Sequence, residues 1–223
     1  MLRRSATVAI VGWTLATISI AAPAPPVEWD GLQRVASKRF DLVYLQPGAD
    51  FKGYTKVIVE PTEVAFHKNW QRNYNSSTRD LGGRVSERDM QDAIKQGVAA
   101  GTDIFTDAWR KGGYEIATAP GPDVLKVRTG VVNISVNAPD VRTASRSYTF
   151  SEEAGQATLV VELRDSQTDA LLGRAVDQKI AGDMTRGMRT SVSNRSDFRQ
   201  IVEDWAKDSV RGMSELKNLA SAR

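Results

Sequence analysis

The sequence predicts an α/β fold of the α+β type: a mostly antiparallel five-stranded sheet covered on one face by two long helices, in the order strand, helix, four strands, helix. Three observations predict it. Two long segments, one beginning near residue 86 and one near residue 194, carry apolar residues at helical spacing. Between and before them lie runs rich in valine and isoleucine bounded by glycine, proline and aspartate, as strands are. Each helical segment has a single apolar stripe, which suits two helices lying side by side on one sheet face.

The chain opens with Arg3 and Arg4, followed by an uncharged apolar run from Ser5 to Ala22 that ends in small residues. That is the profile of an export leader, 1–21, with Ser19 and Ala21 at the small positions before a cut after Ala21. The competing reading is an uncleaved inner-membrane anchor formed by 5–22, since the run approaches the roughly 20 residues that span a bilayer. Thr14, Thr17, Ser19 and the prolines 23, 25 and 26 argue for cleavage. Arg3 and Arg4 are two of the 30 basic residues, so the exported chain carries 28 against 27 acidic ones. Such a balance lacks the charge excess that drives phosphate binding, and nucleic acid is excluded as a partner. With no cysteine, disulfides, thiolate metal sites, cysteine nucleophiles and an amino-terminal lipid anchor are excluded as well.

Residues 22–56 read as a lead-in segment that packs along the domain, because Phe40, Leu42, Tyr44, Phe51 and Tyr54 carry too much apolar surface to leave in water. The single domain then spans 57–223. Val57-Ile58-Val59 begins a strand that continues to Phe66 with a phase shift at Pro61, a residue confined to edges and bulges. After a polar loop at 67–84, Ser86 and Asp89 form a capping box for a helix whose stripe runs through Met90, Ile94, Val98, Gly101, Ile104, Phe105, Ala108 and Trp109. Gly112-Gly113 ends it. A short strand from Tyr114 leads to a longer one over 124–136, with a bulge expected at Gly130. Ala157, Leu159, Val161 and Leu163 alternate, and Leu172, Val176 and Ile180 answer them across a turn at 165–169, which reads as a hairpin. Phe198, Ile201, Val202, Trp205, Met213 and Leu216 make the last helix, capped by Asn194 or Ser196.

The phrases Phe40-Asp41-Leu42-Val43-Tyr44-Leu45-Gln46-Pro47-Gly48-Ala49-Asp50, Gly53-Tyr54, Val64-Ala65-Phe66, Gly121-Pro122-Asp123-Val124-Leu125, Asn137-Ala138-Pro139-Asp140 and the stretch from Asp165 to Asp177 resemble the bacterial envelope family catalogued as domain of unknown function 3313. The resemblance covers nearly the whole exported chain and implies an envelope location and these domain limits. It implies no activity. Many similar proteins carry a lipobox cysteine, which this sequence lacks.

No catalytic, cofactor-binding or metal-binding residue is assigned. His67 is the only histidine, and neither a Gly-x-Ser-x-Gly elbow nor a His-Glu-x-x-His pair exists. Ser214 and Lys217 match Ser-x-x-Lys by chance, in the last turns of the final helix. Asp165 and Asp169 lack the glycine and glutamate of a calcium loop, and a turn explains them better. Asp204 and Asp208 share a helix face with Lys207 and Arg211 as a solvated surface. Arg174 falls on the hairpin face of Leu172 and Val176, so it implies a buried ion pair, or else a ligand-binding arginine. Trp70, Arg72 and Tyr74, in the cationic stretch from His67 to Tyr74, are the candidate partner contact, the alternative being aromatics folded back on the domain. A second basic stretch holds Arg186, Arg189 and Arg195 with Met184 and Met188.

These readings add up to a periplasmic or envelope-associated, non-catalytic binding or assembly module. Its partner is another envelope protein, with no nucleic acid, no cofactor and no stable membrane anchor after cleavage. The alternatives are a carboxylate-dependent hydrolase or glycan-active enzyme, and a small-ligand binder. Cell fractionation should find the chain in the periplasm, shortened by the leader; full-length chain in the cytoplasm would contradict the export reading.

Overall fold

The computed structural model describes residues 24–78, 81–136, 149–151, 155–181, 187–189 and 191–219. In chain order the elements are β1 (Glu28–Trp29), β2 (Leu32–Val35), β3 (Leu42–Leu45), β4 (Lys56–Val59), β5 (Glu63–Phe66), α1 (Trp70–Ser77) and a 3-10 turn (Leu81–Gly83). There follow α2 (Glu87–Lys111), β6 (Glu115–Ile116), β7 (Val124–Val136), β8 (Thr149–Ser151), β9 (Gly155–Asp165), β10 (Leu171–Ala181), β11 (Gly187–Arg189) and α3 (Ser191–Leu219).

The sheet differs from the expected one. It has nine strands in the order β1-β2-β3-β10-β9-β7-β4-β6, with β5 also paired to β7, and it is mixed: β4 runs parallel to β6 and β7, and β5 parallel to β7. A separate antiparallel pair joins β8 to β11, and among the described residues there are three α-helices where two were expected. Two physical causes account for the difference. The lead-in expected over 22–56 does not merely pack along the domain; its described part contributes β1, β2 and β3 as antiparallel strands at one edge. And α2 is a crossover: a long helix between two strands lets the second return beside the first in the same direction, which a tight turn does not.

The strand expected over 57–66 breaks at Pro61. There the chain leaves the ladder, and the buried Thr62 takes side-chain partners instead, its amide donating to Thr102 Oγ1 at 2.9 Å and its hydroxyl pairing with Thr129 Oγ1 at 2.8 Å. In β7 the bulge falls at Asn133, not Gly130. Gly130 keeps regular register with Val160 and Glu63, whereas the register slips between Val132 and Ser135 around Asn133 at φ 53°. Asparagine tolerates that left-handed conformation, and the slip returns Ile134 to the buried side.

The helix over 87–111 has its capping box, Ser86 Oγ accepting from the Asp89 amide at 3.2 Å and Asp89 Oδ2 from the Ser86 amide at 2.9 Å. It ends at Gly112, where a Cβ would collide with Val210 of α3, so the close approach of the two helices requires glycine there. α3 starts at Ser191, and Asn194 and Ser196 lie inside it rather than capping it. Gly101, Phe105 and Trp109 of α2, with Ile201, Trp205, Ala206, Val210 and Met213 of α3, bury against Leu125, Val127, Val131, Leu159 and Val161 of the sheet. Trp109 and Trp205 are fully buried, and large aromatic deletions from a core cost the transfer energy plus the cavity. Trp109→Ala and Trp205→Ala should each lower unfolding free energy by about 3–5 kcal/mol in urea titrations; unchanged midpoints in both would show that these residues do not organise the core.

Candidate functional site

α2 and α3 cover one face of the sheet. Strand alternation puts Val57, Leu125, Val127, Leu159, Val161, Ala175 and Asp177 under them and sends Lys126, Arg128, Val160, Glu162, Arg164, Arg174, Val176 and Gln178 to the other face. The hairpin was expected to set Arg174 on the core face with Leu172 and Val176. Instead β10 slips register between Leu171 and Gly173, so Leu172 packs on the core while Arg174 and Val176 point away from it.

On that open face an unbroken row of ion pairs crosses the sheet. Arg128 bonds Glu60 at 2.8 Å and lies 3.9 Å from Glu63; Lys126 reaches Glu60 at 3.9 Å and Asp169 at 2.8 Å. Arg164 continues to Asp169 at 3.5 Å and Glu162 at 2.8 Å, and Arg174 joins Glu162 and Asp30, both at 2.7 Å. Five acids thus alternate with four cations. The two signs are not equally presented to solvent. Glu63, Asp169 and Asp30 are more than half exposed, while Lys126, Arg164 and Arg174 are a fifth exposed or less. Arg128 is 43% exposed and Glu60 and Glu162 are 32% and 16%, so the acids that an approaching molecule meets first are Glu63, Asp169 and Asp30.

Arg174 and Glu162 anchor the row. The guanidinium is buried, and its Nε and Nη2 both donate to Glu162 Oε1 while Nη1 donates to Asp30. Burial works to raise the Glu162 carboxyl, but hydrogen bonds from Arg174 and Arg164 outweigh it and hold the pKa below the ordinary value. Burial likewise opposes the charge on Arg174, and Glu162 and Asp30 more than restore it.

The hairpin formed by β1 and β2 closes over this pair. Its turn residues Asp30 and Gly31 both have positive φ, 52° and 77°, the geometry of a two-residue type I′ turn for which Asp-Gly is preferred. The tight turn places Trp29 edge-on to the buried Tyr44 at 5.7 Å, with the Arg174 guanidinium 4.2 Å from the indole centroid. Sequence reasoning missed this hairpin and Glu162. Asp30-Gly31 was the signal that marks the hairpin, while nothing local marks Glu162, twelve residues from its arginine.

The structure separates the other candidates. Residues 70–77 are helical, not part of a polar loop, and Trp70 and Tyr74 are i,i+4 neighbours on one helix face. Trp70 is buried, stacked on Phe66 at 4.9 Å and on Tyr74 at 5.5 Å, so the aromatics fold back, while Arg72 is exposed on another side of the helix. His67 is exposed at the end of β5. Asp165 holds its turn, accepting from the Thr168 amide and hydroxyl, the Gln167 amide and the Tyr54 hydroxyl; the Thr168 bonds lead in keeping its carboxyl pKa low. Burial and the same carboxylate push the Tyr54 hydroxyl up to about 12. Asp204 and Asp208 engage Lys207 and Arg211 as well as Arg39, Ser214 donates to the Val210 carbonyl, and Lys217 donates to the Tyr54 carbonyl. Met184 and Arg186 of the second basic stretch lie outside the described residues, as does the leader. Among the described residues there is no group of three or more histidine, aspartate or glutamate side chains placed to hold a metal ion, and no helix is long and apolar enough to cross a membrane.

These features define an α+β domain built on a mixed sheet with helices on one face and a charged, open second face. The chain belongs to the family described as protein of unknown function (DUF3313), which matches residues 26–209. No curated protein matches it. Among solved structures it is similar to the PelC dodecamer from Paraburkholderia phytofirmans, with 14% identity over 73% of this chain and 94% of that one at a TM-score of 0.34. It is also similar to a DUF330 protein from Xanthomonas campestris, with 14% identity over 80% and 94% of the chains at 0.38. For a DUF4136 protein from Bacteroides thetaiotaomicron the figures are 11%, 84%, 98% and 0.37.

Glu162→Gln leaves two guanidiniums on one neutral amide and should cost about 3 kcal/mol at neutral pH, as expected for breaking a buried pair. Because the folded-state pKa is depressed, the carboxylate's contribution is complete above the unfolded value of about 4.3 and is lost as pH falls through the lower folded value. Urea titrations should show the gap between wild type and variant narrowing below that pH, and a pH-independent gap would contradict the assignment.

Proposed function

We propose that this chain is a non-catalytic binding or assembly module of the cell envelope that engages a second envelope protein, one with a basic contact surface, through the open face of its sheet. One observation carries the reading: the ion-pair row exposes three acids, Glu63, Asp169 and Asp30, more than any of its four cations, and sinks Lys126, Arg164 and Arg174, so the charge most open to solvent along it is acidic although the whole chain is nearly neutral. Complementary charge steers and orients a partner more than it adds raw affinity, which suits a docking platform. The side chains with chemical potential support the same reading, since Asp165, Asp177, Ser166 and Ser214 serve turns, strands and helices as hydrogen-bonding partners.

A photo-crosslinking residue at Gln178, exposed on the open face, should capture one discrete envelope protein in living cells. Glu63→Lys reverses an exposed acid at the end of the row and should diminish that product without changing the melting temperature. Undiminished crosslinking in Glu63→Lys, or no product from Gln178, would overturn the proposal.

A further inference from the structure

Among the described residues β5 pairs with β7 alone, whereas β4, on the same side of β7, is itself covered by β6. The strands at the two ends of the strand order, β1 and β6, are two residues long. β5 has four, and the His67 amide prolongs its ladder by donating to the Ile134 carbonyl at 2.9 Å. Successive residues of a strand aim their amide and carbonyl at opposite edges. With His67 aimed at β7, Ala65 and Glu63 are too, and the amides and carbonyls of Val64 and Phe66 face outward. Among the described residues no group bonds to them. An unpaired edge of this kind is a template for another strand.

The side chains specify which strand. Alternation puts Glu63, Ala65 and His67 on the open face, all three exposed, and Val64 and Phe66 on the side of the helices, partly buried against the core. Two copies of this segment laid antiparallel about Ala65 match at every position. Val64 falls opposite Phe66 of the second copy, apolar against apolar, and these outward residues exchange both main-chain bonds, as a hydrogen-bonded antiparallel pair does. Ala65 meets Ala65 of the second copy at the close, non-hydrogen-bonded position, where a small side chain fits. Glu63 meets His67 of the second copy, a carboxylate 76% exposed opposite an imidazole that can donate to it neutral or protonated. Lys68 is exposed beside that imidazole, and within its own chain Glu63 is held only loosely, by Arg128 at 3.9 Å. The neighbouring symmetric registers set Glu63 against Ala65 or against Asn69, so charge selects the register centred on Ala65.

We infer that β5 is the contact between two copies of this chain, paired antiparallel about a two-fold axis at Ala65 so that one sheet runs through both. Such a contact uses the same surface on each subunit and closes as a dimer, with no β5 edge left to recruit a third copy. It stands apart from the proposed protein contact, since it uses an edge of the sheet and not its face. Its consequence for that contact is geometric: the two charged open faces lie side by side on one continuous surface.

Ala65 permits a direct test, because its side chain points into water in one copy and at its own image in the pair. Non-hydrogen-bonded partners lie about 4.5 Å apart between Cα atoms, within reach of a disulfide, and the chain has no cysteine of its own. The protein purified from its own cells should sediment as a dimer. Ala65→Cys should link covalently into dimers on mild oxidation, while Asp103→Cys, exposed on α2, stays unlinked. Ala65→Lys and Ala65→Glu set like charges directly opposite each other. Each should sediment as a monomer with an unchanged circular dichroism spectrum, and an equimolar mixture of the two should recover dimers. Wild-type protein that sediments as a monomer would overturn the inference. So would Ala65→Lys that stays dimeric, a mixture that stays monomeric, or linking of Asp103→Cys as complete as that of Ala65→Cys.

Discussion

The Trp205 indole donates to Asp177 at 2.7 Å inside the core, and most of the architecture leans on that bond. A carboxylate this buried is costly unless its lone pairs are used. Asp177 uses them on three elements: Trp205 of α3, the amide of Asp41 at the start of β3, and more distantly the Lys179 ammonium at 3.7 Å. Asp41 answers by accepting from the Gln178 amide at 3.0 Å. The last helix, strand β10 and the strand that brings in the amino-terminal hairpin are thus fastened at one point. Because hydrogen bonding demands direction as well as proximity, this contact fixes the register of β3 on β10 more narrowly than apolar packing alone would.

Register on β10 in turn sets the second face. With Asp177 under α3, alternation sends Arg174 outward to Glu162, and the slip at Leu171 to Gly173 reconciles this with Leu172 remaining in the core. The row of ion pairs is not a uniform source of stability. Pairs such as Arg128 with Glu63 are long and exposed, and surface pairs of that kind contribute from nothing to about 1 kcal/mol. Arg174 with Glu162 is different in kind: it is shielded and multiply bonded, and its worth lies in the penalty for breaking it. The row holds long side chains in fixed positions across several strands of the sheet, and a surface that is already ordered loses less entropy on binding.

The expectations that failed share a cause. A phase change in an apolar pattern says that a strand slips, and not where. In β7 the pattern alone favoured Gly130, the residue with the most freedom, whereas contact with β9 and β5 put the slip at Asn133. Likewise the stretch around Trp70 has no long apolar period, because a helix of about two turns needs only the Trp70 and Tyr74 pair to settle on Phe66. Short elements carry too few residues for periodicity to speak.

Local signals determined a good deal by themselves. The capping box at Ser86, the stop at Gly112, the limits of β7 and the 165–169 turn were all legible, since each depends on residues within a few positions of one another. Arg174 was legible as an anomaly, a charge in an apolar stretch that demands a partner. The tertiary structure alone decided which partner, that β4 and β5 run parallel to β7, that the lead-in joins the sheet as three strands, and that Glu63, Asp169 and Asp30 are the most exposed charges of the row. Glu162, Asp30 and Arg174 meet from two strands and a turn, separated by up to 144 residues. Their meeting follows from strand order and register, which are set by competition among many weak long-range contacts and leave no mark at any single place in the chain.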